Sequence, residues 1–141
     1  MFQDTREAAP LDFSPFRIEV VKECLPAGDY TAEVKLDGKW ERSKTVVERK
    51  GIGDLWGSFS GDNYEREKRK WQRATDLGQR LIYAVEASCW RIRQGHSYYS
   101  DGETKDSGKD GLSQLRQLMT IEQKYGIPFW YCDGRKDMAL K

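Results

Sequence analysis

The sequence predicts an α/β domain with a mixed central sheet flanked by helices. Three observations support this prediction: an alternating hairpin pattern near the N-terminus, a short and nearly continuous apolar run at residues 80–87, and helical patterns on both sides of that run. The chain has 141 residues, which is the length of one ordinary domain. We therefore expect a single domain over residues 1–141.

The first strands are predicted from β-branched residues and from alternation. Residues 16–25 mix β-branched and charged side chains, and residues 29–36 alternate strictly between apolar and polar. Asp37-Gly38 favours a two-residue hairpin turn, so the return strand is expected over residues 39–50. This turn pairs Leu36 with Lys39 and places Glu33 opposite Arg42, an oppositely charged cross-strand pair.

The second half of the chain predicts a helix–strand–helix–strand succession. In chain order the expected elements are a short helix at 51–59, a charged helix at 64–77, a strand buried on both faces at 80–87, a helix ending at Gly126 and a strand at 129–132. Residues 91–111 contain glycines, serines and charges without an apolar period. We expect a long flexible loop there, and loops of that length are often functional.

Composition excludes several classes of protein. Lysine and arginine number 24 against 23 acidic residues, a net charge of +1, so binding of nucleic acid must depend on local patches. No apolar run approaches the roughly 18 residues of a membrane span, and no signal peptide is evident. We expect a cytoplasmic protein, nuclear in a eukaryote, with no membrane partner. The three cysteines lie far apart, which argues against a disulfide framework or a zinc site and favours reduced core residues.

The hairpin register brings two carboxylates and a lysine to one face. It places Asp29 opposite Val46, with Asp29, Glu48 and Lys50 on the same side of the strands. Asp29 and Glu48 are then diagonal neighbours, roughly 7–8 Å apart, and can share one hard cation such as Mg²⁺. Two acids and a lysine in this arrangement form the active site of metal-dependent nucleases of the PD-(D/E)xK type. The alternative is a surface hairpin with solvated charges.

Three ordered motifs resemble the nuclease domain of the XPF/Hef family. That family has an Asp-x-Arg-Glu opening, a Gly-Asp after a Leu-Pro, and a Glu-Arg-Lys-x-x-x-Asp-Leu motif. The corresponding stretches here are Asp4-Thr5-Arg6-Glu7, Leu25-Pro26-Ala27-Gly28-Asp29-Tyr30 and VERKGIGDL at residues 47–55. The basic helix, the buried strand, and the terminal helix and strand also fit, so the resemblance covers nearly the whole chain.

The resemblance implies a restriction-endonuclease-like fold and a metal-dependent DNA endonuclease acting on branched, flap or fork DNA in repair or recombination. It implies Mg²⁺ as cofactor, with Mn²⁺ able to substitute, DNA as partner, and a homodimer. The implied catalytic residues are Asp4, Asp29, Glu48, Arg49 and Lys50, of which Asp4, Asp29 and Glu48 would bind the metal. Because Arg49 points to the opposite face in the predicted register, its carbonyl is expected to approach the metal.

Further residues are assigned supporting roles. The expected DNA contacts are Arg6, Lys68, Arg69 and Arg73, although a basic run on a helix is commonly just a solvated face. Glu7 is expected to brace the site or to lie near the phosphate. Asp54 matches the last acid of the third motif and is expected either to support the site or to cap a helix.

Two other functions stay open at this point. One is a non-catalytic scaffold or dimerisation partner, against which the intact acids and lysine argue. The other is a Holliday-junction resolvase or a nicking nuclease. No tandem helix-hairpin-helix domain is expected after Lys141. The expected dimer patch consists of apolar residues near the C-terminus, namely Ile127, Phe129, Trp130 and Met138.

Overall fold

A six-stranded mixed sheet lies at the centre of the computed structural model, which describes residues 1–95, 97–100, 103–106, 108 and 110–140. The strands are Phe2–Asp4 (β1), Val21–Glu23 (β2), Tyr30–Leu36 (β3), Lys39–Lys50 (β4), Arg80–Val85 (β5), Ser97–Ser100 (β6), Glu103–Asp106 (β7) and Phe129–Tyr131 (β8). The helices are Ile52–Ser58 (α1), Gly61–Asp76 (α2), Cys89–Gln94 (α3), Gly111–Tyr125 (α4) and Arg135–Leu140 (α5). The sheet order is β2-β1-β3-β4-β5-β8, while β6 and β7 form a separate two-stranded sheet.

The β3–β4 hairpin has the predicted turn and the predicted pairing near it. Both residues of Asp37-Gly38 have positive φ, which is the conformation that a two-residue turn of this kind requires. Glu33 lies opposite Arg42, as predicted. Beyond this pair the register shifts, so that Thr31 pairs with Val46. The shift adds two residues to β4, and because two is the period of a strand, the side chains keep their faces.

Two apolar clusters cover the two faces of the sheet. The larger cluster packs α1, α2 and α4 against β5 around Leu55, Phe59, Trp71, Tyr83 and Leu118. The smaller cluster covers the other face with the N-terminal segment and α5, and includes Leu11, Phe13, Tyr30, Ala84 and Met138. β5 is therefore buried on both sides, as its apolar run predicted.

Several sequence predictions are wrong in detail. The strand expected at 16–25 covers only Val21–Glu23, and a 3₁₀ turn precedes it at Ser14–Phe16. The loop expected at 91–111 contains part of α3 as well as β6 and β7, although its residues 96, 101–102, 107 and 109 lie outside the described residues. Cys24 and Cys89 are exposed rather than in the core. No helix within the described ranges is long and apolar enough to cross a membrane.

The predicted C-terminal dimer patch is also wrong. Ile127, Phe129 and Met138 are between 6% and 8% exposed, because they belong to the two apolar clusters. Of the four residues, only Trp130 is exposed, at 36%. These side chains cannot form a continuous apolar surface for a second chain.

Candidate active site

Gly28 allows Asp29 to lie against β4. Gly28 has φ of +70°, and a Cβ at this position would come within 3.1 Å of both Val46 and Val47. The Asp29 N–H donates to the Val47 carbonyl at 2.8 Å. Asp29 therefore lies opposite Glu48, and the predicted pairing with Val46 is wrong because of the two-residue shift in β4.

Asp29 and Glu48 form a repulsive pair of carboxylates. Burial, followed by the charge of Glu48, raises the pKa of Asp29 to about 7. One Asp29 oxygen accepts the Arg49 backbone N–H at 2.7 Å. Two adjacent carboxylates with free lone pairs suit a hard divalent cation, because the cation replaces repulsion with attraction. The donor set of Asp29 and Glu48 therefore fits Mg²⁺.

Glu48, Lys50, Glu67 and Lys70 form an acid–lysine cluster beside Asp29. Lys50 Nζ lies 2.9 Å from Glu67 Oε1 and 3.5 Å from Glu48 Oε1. Lys70, from α2, donates to Glu48 Oε1 and lies 3.5 Å from Glu67 Oε2. Burial lowers the pKa of Lys70, but the charge of Glu48 and its hydrogen bond raise it more, and the net change is upward. Lys70 therefore neutralises Glu48 in the absence of metal.

A chain of hydrogen bonds from two core residues holds the Glu67 carboxylate in place. The Tyr83 hydroxyl donates to Glu67 Oε2, and Trp71 Nε1 donates to the Tyr83 oxygen at 2.9 Å. Tyr83 is fully buried, and burial followed by the charge of Glu67 raises its pKa. This hydrogen-bonded chain fixes Glu67, and through Glu67 it fixes the ammonium group of Lys50.

Glu67 and Lys70 are not among the site residues predicted from the sequence. A signal for Glu67 was present, because it lies in the same helical stripe as Tyr64, Trp71 and Ala74. A carboxylate within an apolar stripe indicates a buried group that needs a partner. Lys70 had no such signal, because it ends an unbroken run of charged residues at 65–70.

Asp4 has the geometry of a bracing residue. Its carboxylate accepts hydrogen bonds from the Arg6 backbone N–H, the Arg6 guanidinium and the Leu25 N–H, all at 2.6–2.8 Å. The side-chain bond from Arg6, opposed by burial, lowers the pKa of Asp4 to about 2. The Asp4 N–H donates to the Asp29 carbonyl at 2.7 Å, so this brace supports the strand end that carries Asp29.

Arg49 contacts residues on the opposite side of the sheet from Asp29 and Glu48. Its guanidinium lies on the opposite face, as predicted, where it donates to Glu86 at 2.8 Å and to Glu7 at 3.3 Å. Glu7 therefore contacts the third motif through Arg49, and its expected role in bracing the site stays a prediction. The backbone N–H of Arg49 donates to Asp29, and the approach of the Arg49 carbonyl to a metal stays a prediction.

Comparisons with a protein family and with solved structures agree with the fold described above. The ERCC4 domain family matches residues 3–140. The chain belongs to the ERCC4 domain family. The fold is similar to that of XPF from Aeropyrum pernix, with a TM-score of 0.63 and 20% identity over 99% of this chain. This chain spans 59% of the length of that chain. The comparison with curated proteins found no match.

The predicted resemblance to the XPF/Hef family and the predicted mixed α/β sheet are thus confirmed. The roles of the individual site residues in this ERCC4 domain stay predictions, which are argued from the geometry of the site. Asp54 lies in the first turn of α1 and lines an open cleft of about 450 Å³ beside Lys50. Asn63 and Arg66 line the same cleft from α2.

The basic helix α2 presents a stripe of arginines next to this cleft. Arg66, Arg69 and Arg73 follow each other at helical spacing and are exposed. Within the described residues, the side chains of Arg69 and Arg73 form no ion pair or hydrogen bond. Lys68 differs from them, because its Nζ lies 2.5 Å from Glu65 Oε1 in an ion pair within the helix. The arginine stripe (Arg66, Arg69 and Arg73) therefore exposes positive charge beside the cleft, and the DNA contacts of Lys68, Arg69 and Arg73 stay predictions.

Proposed function

We propose that this ERCC4 domain is a Mg²⁺-dependent endonuclease that hydrolyses phosphodiester bonds in branched, flap or fork DNA during repair or recombination. The observation that supports the proposal is the pair of half-buried Asp29 and buried Glu48, with Lys50 held beside it. Mn²⁺ should substitute, because it also prefers carboxylate and water ligands. Asp29 and Glu48 would hold the cation, and Asp4 would brace the Asp29 strand rather than bind metal.

Hydrolysis adds a water oxygen to phosphorus and breaks one bridging P–O bond, with a proton passing to the leaving oxygen. When bound, the cation supplies charge for the phosphate and acidity for the water. Lys50 would donate a hydrogen bond to the attacking water or to a phosphate oxygen, which stabilises the developing negative charge. Glu67 would be a positioning residue, because it touches Lys50 at 2.9 Å and is itself held by Tyr83.

The arginine stripe supports DNA as the substrate. Its three guanidinium groups can each contact a phosphate, and such contacts position a duplex without reading its sequence. The cleft between Lys50 and Arg66 leaves room for a backbone to pass over the site. Arg6 is exposed at 64% of its side chain despite its bond to Asp4, and it would contact phosphate at the other edge.

Cleavage assays on flap, fork, four-way junction and linear duplex DNA test this proposal. We expect wild-type cleavage with Mg²⁺ or Mn²⁺, none with EDTA, and a loss of at least about a hundredfold for Glu48→Gln and Lys50→Ala. Glu122→Gln, an exposed position on α4, is the matched control and should cleave normally.

The substrate panel also separates the alternatives. Preference for the four-way junction would identify a resolvase, and cutting of one strand of a linear duplex would identify a nicking enzyme. DNA binding without cleavage under any metal condition would contradict the enzymatic proposal and support a scaffold.

We also propose a homodimer, through a surface different from the predicted patch. Trp90, Leu112 and Met119 are 63%, 40% and 55% exposed and lie together between α3 and α4. This is the kind of exposed apolar patch that marks a protein interface. Light scattering should give twice the chain mass for the wild type and one chain mass for Trp90→Glu. A wild-type mass of one chain at micromolar concentration would refute the homodimer.

A further inference from the structure

The outer part of the β3–β4 hairpin extends beyond the sheet. β1 pairs with β3 only as far as Thr31, and β5 pairs with β4 only from Thr45 onward. Residues 33–42, here called the outer ribbon, are therefore two strands with no further strand beside them, and all ten are exposed. A two-stranded ribbon of this kind adds little stability by itself, so the residues that it exposes need another explanation.

Trp40 is the most exposed large apolar residue of the outer ribbon, at 67%. It is paired with Lys35 across the ribbon, so the two side chains lie on one face. Among the described residues, the Trp40 ring contacts no other aromatic ring and Lys35 forms no ion pair. An exposed tryptophan beside an unpaired lysine offers a flat π surface next to a positive charge.

The Trp40 face is the face of the candidate active site. The register shift in β4 adds two residues, so the alternation that places Asp29 and Glu48 on one side also places Lys35 and Trp40 on that side. Six residues separate Lys35 from Asp29 along β3, or about 20 Å at 3.3 Å per residue. That span equals about six nucleotides at 3.4 Å per nucleotide.

We propose that Trp40 and Lys35 form a stacking platform for an unpaired base of a branched DNA, about six nucleotides from the scissile phosphate. The proposal depends on the proposed function, because it assumes that DNA crosses Asp29 and Glu48. The indole stacks on the base, and the Lys35 ammonium group contacts the neighbouring phosphate. The platform distinguishes a single-stranded arm from a duplex, because the bases of a duplex are already stacked on each other.

The test compares the affinity for a fork with single-stranded arms and for a blunt duplex of equal length. Binding is measured by fluorescence anisotropy in EDTA, so that no cleavage occurs. We expect Trp40→Ala to weaken fork binding about 5- to 150-fold and to leave duplex binding unchanged. Trp40→Phe should keep most of the fork affinity. Leu36→Ala, on the other face of the outer ribbon, is the matched control and should change neither affinity.

Three results would overturn the platform while leaving the nuclease proposal intact. They are unchanged fork binding by Trp40→Ala, an equal loss on fork and duplex, and conversion of a wild-type dimer to a monomer by Trp40→Ala in light scattering. The last result would show that Trp40 contacts a second chain instead of a base. Failure of the wild type to bind or cleave any DNA with Mg²⁺ present would instead refute the proposed function, and it would be evident before any variant is made.

Discussion

Replacing Asp29 by asparagine should stabilise the metal-free protein at neutral and higher pH. The pKa of Asp29 rises from 3.8 to about 7 on folding, so ionisation of Asp29 opposes folding. The cost is absent well below pH 4, grows as the pH rises, and is complete above about pH 7. At 1.36 kcal/mol per pKa unit its upper limit is roughly 4 kcal/mol. We expect Asp29→Asn to raise the free energy of unfolding by only about 1–2 kcal/mol, because Asp29 is half-buried and its charge is partly screened by water.

Thermal unfolding in EDTA measures this effect. A gain of 1–2 kcal/mol corresponds to a Tm increase of about 3–8 °C for a chain of this length. At saturating Mg²⁺ the wild type should have the higher Tm of the two proteins, because it gains stability from bound metal and Asp29→Asn does not. Asp37→Asn removes the same charge at the hairpin turn and should leave Tm within about 1 °C in both conditions. A variant that is less stable than the wild type in EDTA at about pH 8 would refute the reasoning.

Three further predictions concern the neighbouring charges. Lys70→Met should tighten Mn²⁺ binding by about tenfold in calorimetry, because it removes the internal cation that competes for the acids; unchanged affinity would contradict this role. Arg6→Ala should destabilise the protein by about 2 kcal/mol in urea unfolding at neutral pH, because Asp4 loses its bonds from the guanidinium. This loss of stability should disappear as the pH falls from about 4 to 2, because Asp4 becomes protonated over that range. Arg69→Ala combined with Arg73→Ala should reduce the slope of log affinity against log salt for duplex DNA by about 2, and an unchanged slope would identify a merely solvated helix face.

The sequence predicted those elements that have a strong internal period. The alternation of 29–36 and the Asp37-Gly38 turn correspond to β3 and its turn, and the apolar run at 80–87 corresponds to β5. The elements that were missed are short: β1 has three residues, and α3 and α5 have six each. Segments of that length have little propensity of their own and form because of tertiary contacts.

The candidate site could be predicted only in part, for a similar reason. Asp29, Glu48 and Lys50 were assigned to the correct face because the shift in β4 adds an even number of residues. The contributions of Glu67 and Lys70 depend on how α2 is rotated, and Trp71 determines that rotation by packing into the larger apolar cluster. The apolar stripe on α2 indicates that Glu67 is turned toward the core, but no local pattern gives the same indication for Lys70.

The strand β4 connects two charge networks because its residues alternate. Glu48 and Lys50 face the acid–lysine cluster, while Arg49 between them reaches Glu7 and Glu86 on the opposite side of the sheet. The same residue contacts both networks, because its backbone N–H holds the Asp29 carboxylate at 2.7 Å. A displacement of the Arg49 guanidinium would therefore move the backbone that orients Asp29. The Glu-Arg-Lys order thus places two side chains of the candidate site on one face and anchors them from the other, which a run of three residues can do only in an extended strand.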